Sequence, residues 1–335
     1  MGVIITIIKV IFLLGFLILI HEGGHFLVAK LCKVKVNEFA IGFGPKIWEK
    51  QGKETKYALR LIPLGGFVNM EGEETPSDEK GSFSKACAWK KILIVFAGGF
   101  VNIIFGLIVY YIIVITNVTF YNNVVDYTLE NYGAQSAGIK TGDEIIEING
   151  KEVSSRETVL MALDDLDSDI VNVKINRNGE IFEVNVKLIE ENSKYYLGIV
   201  FQKSELAISQ KVYYANLSTK EFIIALADNV KMIFTGKVGV DQMVGPVGIS
   251  EQVAKTDNFI EFFYLLAVIS LSLGVTNLLP LPPLDGGKIV LILIEGISRK
   301  KMSENVQIKI QLFGLALLMT LSLYVTFNDV IKIIK

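Results

Sequence analysis

Residues 3–25 read VIITIIKVIFLLGFLILIHEGGH. The first 18 of them are broken only by Lys9, and they run without any turn signal into His21-Glu22-Gly23-Gly24-His25. About 20 apolar residues span the hydrocarbon of a bilayer, so Val3 to Ile20 reads as a membrane span, with Lys9 able to snorkel if it lies near the interface. The polar cluster at its end is an H-E-x-x-H motif. Ionisable groups at membrane depth are costly and usually mark function. A secretory signal peptide would need a basic segment ahead of the apolar core and a small-x-small site behind it. Neither is present, and cleavage would discard both histidines, so the segment is expected to stay.

Working outward, three more runs have the same character. Ile92 to Ile115 is 24 residues without a charge, Phe262 to Leu284 is 23, and Ile310 to Phe327 is 18. Hydrophobic residues make up 51% of the 335-residue chain and charged residues 20%, with a mean hydropathy of +0.46. Soluble domains carry nearer 25% charge, so a polytopic α-helical membrane protein with four transmembrane helices is expected. A net charge of −2 and no basic stripe interleaved with aromatics argue against nucleic acid as a partner. Two cysteines cannot make a disulfide framework, and no low-complexity tract or solenoid repeat occurs.

Charge orients the spans. Lys30 to Lys91 holds 12 Lys/Arg against 8 Asp/Glu, whereas Thr116 to Ile139 has no Lys or Arg at all. The positive-inside rule puts the first loop in the cytoplasm and the second outside, and Arg299, Lys300 and Lys301 fall inside again. Both termini then lie outside, and Cys32 and Cys87 lie on the reducing side as unpaired thiols.

The chain therefore divides into a first span at 1–30, a cytoplasmic or membrane-associated β-hairpin loop at 31–91, and a second span at 92–115. An extracytoplasmic α+β domain at 116–205 and an amphipathic helical segment at 206–261 follow. A third span at 262–287, a cytoplasmic-side helix or loop at 288–309, and a fourth span with its tail at 310–335 complete it. Within the first loop, Val34 to Phe43 and Tyr57 to Leu61 alternate like strands around a turn at Gln51-Gly52. The Gly- and Pro-rich Ile62-Pro63-Leu64-Gly65-Gly66-Phe67 fits a surface hairpin and a hairpin dipping into the bilayer edge equally well. Residues 171–175 and 182–188 read as strands, with turns at Asn149-Gly150 and Asn178-Gly179. Ser218 with Glu221 fits a capping box opening a helix toward Phe234.

On a helix, His21 and His25 share a face, so both imidazoles can reach one metal ion with Glu22 beside it. Zinc suits two neutral imidazoles and a carboxylate with one position left open. A metal there lowers the pKa of water, and Glu22 can take the proton. These are the chain's 2 histidines. A third ligand is needed, and Asp285 is the carboxylate at membrane depth. It closes Asn277-Leu-Leu-Pro280-Leu-Pro282-Pro283-Leu284-Asp285-Gly286-Gly287. The orientation argument puts the inner ends of spans one and three on the same side. Close approach of substrate backbone or a neighbouring helix would explain the two glycines inside the motif, each of which costs a helix about 1 kcal/mol relative to alanine.

With these residues in view, the sequence resembles the site-2 protease family of intramembrane zinc metalloproteases, in its bacterial regulator-of-sigma-E protease branch with one PDZ domain. His21-Glu22-x-x-His25 and Asn277-x-x-Pro280-x-Pro282-x-Leu284-Asp285-Gly286 match the family's two distant motifs. Residues 62–67 and Gly245-Pro246-Val247-Gly248-Ile249 match two more segments, and residues 137–150 resemble a PDZ core. The resemblance implies that His21, His25 and Asp285 ligate Zn2+ and that Glu22 is the general base. It further implies that Asn277 supports substrate or the tetrahedral intermediate, and that the Gly65-Gly66 hairpin pairs with an unwound substrate strand. Regulated intramembrane proteolysis of single-pass proteins in the bacterial cell membrane would follow. The implied substrates are anti-sigma factors or signal-peptide remnants, some already trimmed by an upstream site-1 protease. Two departures stand out. Ala97-Gly98-Gly99 replaces the family's Ala-Gly-Pro, with Asn102 keeping its place, and Tyr132-Gly133-Ala134 replaces a small-Pro-Ala turn; neither is expected to touch the chemistry. A catalytically inactive PDZ-bearing membrane scaffold is the alternative, against which the intact His21, Glu22, His25 and Asp285 argue.

Overall fold

In the computed structural model, which describes residues 2–73, 75–117, 120–164, 169–191, 194–235, 244–300 and 302–334, the first apolar run is one unbroken helix, α1 (Gly2–Leu31). Two long strands follow, β1 (Val36–Gln51) and β2 (Lys56–Met70), paired antiparallel around the turn after Gln51. Both bend. Residues 36–41 face 66–70 on one side and 56–59 on the other, while 46–51 also lie along 56–60. Residues 66–70 are thus paired on one side only among the described residues. Phe43, Ile47, Trp48, Leu61 and Ile62 leave large apolar surfaces exposed on this sheet. A short 3-10 turn at Phe83–Lys85 leads into α2 (Ala88–Asn117).

Residues 117–215 form a unit of their own. In chain order it holds β3 (Phe120–Thr128), α3 (Gly133–Ser136), β4 (Glu144–Ile148), β5 (Lys151–Glu152), α4 (Arg156–Asp164), β6 (Ile170–Arg177), β7 (Glu180–Lys187), β8 (Ile189–Glu191), β9 (Lys194–Tyr196) and β10 (Ile199–Ser204). The main sheet runs β10-β3-β4-β6-β7, antiparallel throughout, and β5 pairs with β4. The strands and turns expected around 149–150, 171–175 and 178–188 are present, with Asn149 and Asn178 at positive φ in their turns. Ile145, Ile148, Val171, Val173 and Val186 fill the core.

Asp143 is the buried ionic anchor of this unit, its side chain 1% exposed. It accepts two bonds of 2.7 Å from Arg177 and one of 2.8 Å from the Lys140 N–H. Burial pushes its pKa up, but the Arg177 and Lys140 donors outweigh that and hold the carboxyl below its ordinary range. A depressed carboxylate stabilises above its unfolded pKa and loses that contribution as pH falls through the folded value. Asp143→Asn should therefore lower the unit's urea midpoint at neutral pH. The gap to wild type should close as pH drops below about 4. Urea titrations at a series of pH values, with protection of β6 and β7 amides as the readout and each pH corrected for its intrinsic exchange rate, measure it; a gap that stays constant with pH refutes the ionic anchor.

The chain continues through α5 (Ile208–Phe234), α6 (Pro246–Ala254), α7 (Phe259–Asn277), α8 (Asp285–Ser298) and α9 (Glu304–Ile334). Among the described residues four helices are long and apolar enough to cross a membrane: α1, α2, α7 and α9. At 1.5 Å per residue the 19 residues of α7 reach about 28 Å, enough for the hydrocarbon core. Three boundaries differ from expectation. The third run ends at Asn277, because Pro280, Pro282 and Pro283 cannot continue a helix, and Asp285 opens a separate helix, α8. Ser218 lies inside α5, which starts ten residues earlier, where Gln210 Oε1 accepts the Ala207 N–H at 3.0 Å. In the segment 206–261, residues 236–243 lie outside the described residues.

Lys9 also has a partner. Its ammonium donates to the carbonyl and hydroxyl oxygens of Thr256, at 2.9 and 3.1 Å, just past the C-terminus of α6. At the other end of α6 the buried Asp329 of α9 accepts the N–H groups of Gly245 and Gly248, at 2.9 and 2.8 Å. Each charge matches the helix-dipole end it meets. The segment Gly245-Pro246-Val247-Gly248-Ile249 is thus the N-terminal turn of a helix held between spans α1 and α9.

Candidate active site

His21 and His25 sit one turn apart on α1, their rings edge to face with centroids 4.8 Å apart. Their Nε2 atoms are 3.2 Å from each other, and each is 3.2 Å from Oδ2 of Asp285. Three donor atoms therefore make an equilateral triangle. Ligands 2.0–2.1 Å from a tetrahedral zinc ion stand roughly 3.3–3.4 Å apart, so the triangle fits one face of such a site. Asp285 Oδ2 is buried and accepts no hydrogen bond of good geometry. A buried carboxylate oxygen aimed at two imidazole nitrogens, with no donor of its own, suits a cation at the centre. Among the described residues His21, His25 and Asp285 are the group able to hold a metal ion in this way.

Asp285 arrives there because of its surroundings. Residues 278–284 fold back on the start of α8, where a Cβ on Gly286 would meet the carbonyls of Leu278 and Leu279, and one on Gly287 would meet Leu281 and Pro282. Only glycine allows that approach, which explains the Asp-Gly-Gly order.

The histidines are held from behind by α2. His25 Nδ1 is 2.8 Å from the carbonyl oxygen of Ile94, and His21 Nδ1 is 3.5 Å from Nδ2 of Asn102. Between these, Gly98 faces both rings, and a Cβ there would collide with His25 Nε2. Gly98, which matches the glycine of the family's Ala-Gly-Pro, therefore packs against both rings, while the departing Gly99 faces Leu278 and the Gly274 carbonyl of α7 instead.

Glu22 and the two histidines open on a cavity of about 990 Å³. Its walls include Phe67 to Glu73 after the hairpin, Asp285 and Lys288 of α8, and Gln307 and Gln311 of α9. Gly66 packs against the Glu22 side chain, a Cβ there falling 3.2 Å from Glu22 Cγ. The half-paired strand 66–70 thus runs beside Glu22. Gly65, at φ 132°, stands against the Phe43 ring rather than on the cavity wall. Asn277 closes α7 and is not among the lining residues.

Lys288 was not singled out from sequence. It lies one turn past Asp285 and forms an ion pair with Glu73 at 3.2 Å. The ion pair places its ammonium in the cavity wall beside Glu73. Its signal was there to read: a lysine three residues after a membrane-depth aspartate, on the same helical face.

Comparison with known proteins gives the family. The model of peptidase family M50 matches residues 9–321. The chain belongs to peptidase family M50. A Fusobacterium nucleatum protein named as a zinc metalloprotease is 34% identical, the match covering 98% of this chain and 99% of the relative. A Clostridium acetobutylicum protein of the same kind of name is 36% identical over 97% of each chain. The regulator of sigma-W protease RasP of Bacillus subtilis is 27% identical over 97% of this chain and 98% of its own. A solution structure from Geobacillus thermodenitrificans aligns with 24% of this chain at 21% identity and a TM-score of 0.21. This M50 peptidase is a zinc metalloprotease, and its four long apolar helices fit a multi-pass membrane protein.

Proposed function

We propose that this M50 peptidase is an intramembrane endopeptidase that cuts single-pass membrane proteins within or near the bilayer, with His21, His25 and Asp285 holding its zinc and Glu22 as general base. The observation that carries this reading is the 3.2 Å triangle of ligand atoms at the end of an apolar span. When bound, zinc polarises the scissile carbonyl and makes water acidic enough to lose a proton near neutral pH. The Glu22 carboxylate takes that proton from the attacking water and delivers it to the nitrogen of the departing amine.

A peptide bond inside a helix is shielded, so the substrate must first be extended. Residues 66–70 offer the free side of a strand next to Glu22, and β-augmentation there would hold the unwound segment, with Gly66 allowing close approach and Gly65 setting the bend. Lys288 places a positive charge in the cavity wall. Asn277 is assigned to substrate support on the motif match. The exposed Trp48, Ile47 and Phe43 support a hairpin that meets lipid at the bilayer edge.

The name of the Bacillus subtilis relative points to control of a sigma factor, so anti-sigma-like membrane proteins and signal-peptide remnants are the proposed substrates, with a site-1 protease acting first on some of them. The site would face the cytoplasm, with both termini and a PDZ-like 117–215 unit outside the bacterial cell membrane; that unit would admit substrates whose outer domain has been removed.

The test uses purified enzyme in detergent and a tagged single-pass substrate lacking its outer domain. A cut mapped by mass spectrometry inside the apolar segment, lost with a chelator and restored by stoichiometric Zn2+, is the expected result. Cuts confined to soluble segments, or cleavage indifferent to chelation, overturn it. Binding of several substrates without any cleavage favours the scaffold alternative.

A further inference from the structure

For a neutral imidazole to offer the lone pair of Nε2 to a metal, the ring proton must sit on Nδ1, and that N–H needs an acceptor when buried. His25 has one in the Ile94 carbonyl, at 2.8 Å. The corresponding neighbour of His21 Nδ1 is the Asn102 amide, drawn with its NH2 end toward the ring at 3.5 Å. That arrangement sets a donor against a donor. It also leaves Asn102 Oδ1 buried without any hydrogen bond, in a residue that is 0% exposed.

The two ends of an amide are nearly isosteric, and which is oxygen follows from the bonding network. Exchanging them turns the donor–donor contact into a donor–acceptor one and gives Oδ1 a partner in His21. We propose that Asn102 is a positioning residue whose side-chain carbonyl accepts the Nδ1–H of His21 and so fixes the tautomer that presents Nε2 to the metal.

The backbone around Asn102 is prepared for this. Its own carbonyl oxygen accepts from the fully buried Ser270 hydroxyl of α7 at 2.8 Å, which ties α2 to the helix leading toward Asp285. Ile94, Gly98 and Asn102 are spaced i, i+4, i+8 and share one face of α2. That face reads as acceptor, gap, acceptor: a backbone carbonyl for His25, room for both rings, and an amide oxygen for His21. A purely space-filling Asn102 would leave an unsatisfied buried amide that leucine could replace at no loss to the metal.

The inference rests on the metal reading above, so the experiment separates the two. Purified full-length wild type, Asn102→Leu, Asn102→Ala and Asn102→Asp are loaded with Co2+. The visible ligand-field spectrum and the rate of metal transfer to a chelator are recorded, with thermal stability measured in parallel. Asn102→Leu and Asn102→Ala should release metal roughly 10- to 100-fold faster than wild type. Asn102→Asp, which still offers an acceptor oxygen, should restore slow release and a wild-type spectrum. The faster release from Asn102→Leu should come without a matching fall in thermal stability, a combination that a structural role would not produce. Wild-type release from Asn102→Leu, or release from Asn102→Asp as fast as from alanine, overturns the inference alone. A wild-type protein that takes up no stoichiometric metal overturns the metal reading and the inference together.

Discussion

Glu22→Gln should lower kcat on a membrane-embedded substrate by about 10²- to 10⁴-fold, the range lost when a positioned general base is removed, and leave one zinc per chain in place. The split follows from the geometry. The three atoms of the ligand triangle belong to His21, His25 and Asp285, and Glu22 contributes none of them. Glutamine keeps the size and hydrogen-bonding reach of glutamate, so the contact with Gly66 and the packing of α1 against the hairpin survive. What disappears is a carboxylate able to take a proton and hand it on. Asp285→Ala should behave differently, losing metal and activity together. Metal analysis beside single-turnover cleavage distinguishes the two variants. Equal rates for wild type and Glu22→Gln would remove Glu22 from the mechanism.

The residues of the ligand triangle were legible in the sequence for local reasons. An i, i+4 histidine pair announces a shared helix face, and a proline-broken apolar run ending in aspartate announces irregular backbone at membrane depth. The four spans were legible because apolar runs of that length have few other uses. Less could be read where the determining contact is long-range or involves backbone. The Ile94 carbonyl that holds His25 has no side-chain signature, since any residue at 94 supplies one. Splitting of the third run into α7 and α8 depends on where the chain after Asn277 folds back, which the prolines permit without dictating. The start of α5 was missed because Ala207 is a poor cap by type and its N–H is satisfied from Gln210 instead. Asp329 lies just past the fourth apolar run, and its capping of α6 requires positions 81 and 84 residues apart in the chain to meet.

The glycines show the same limit most sharply, and they carry the second large prediction. Gly23 and Gly24 are adjacent within the motif, yet a Cβ on Gly23 would meet nothing within 4 Å, while one on Gly24 would meet the Ala97 carbonyl carbon of α2 at 3.0 Å. Gly98 is tighter still: an added Cβ would lie 2.6 Å from Cε1 of His25 and 2.8 Å from Cε1 of His21. Neither ring can yield in place: both nitrogens are fixed in one triangle with Asp285, and His25 is further held by Ile94. Gly98→Ala must therefore rotate a ligand nitrogen off the triangle or push α2 away from α1. Overpacking of this kind costs about 1–3 kcal/mol, which four packed spans can absorb. Displacing a reacting group by about 1 Å costs on the order of 10² in rate, so kcat/KM should fall at least that far, with weaker zinc retention. Gly23→Ala is the matched control, expected to keep its zinc and to gain up to about 1 kcal/mol of helix stability. Zinc content, chelator-release rate and kcat/KM for the pair decide the matter. If Gly98→Ala retains wild-type zinc and wild-type kcat/KM, then α2 does not approach the histidines closely enough to shape the site.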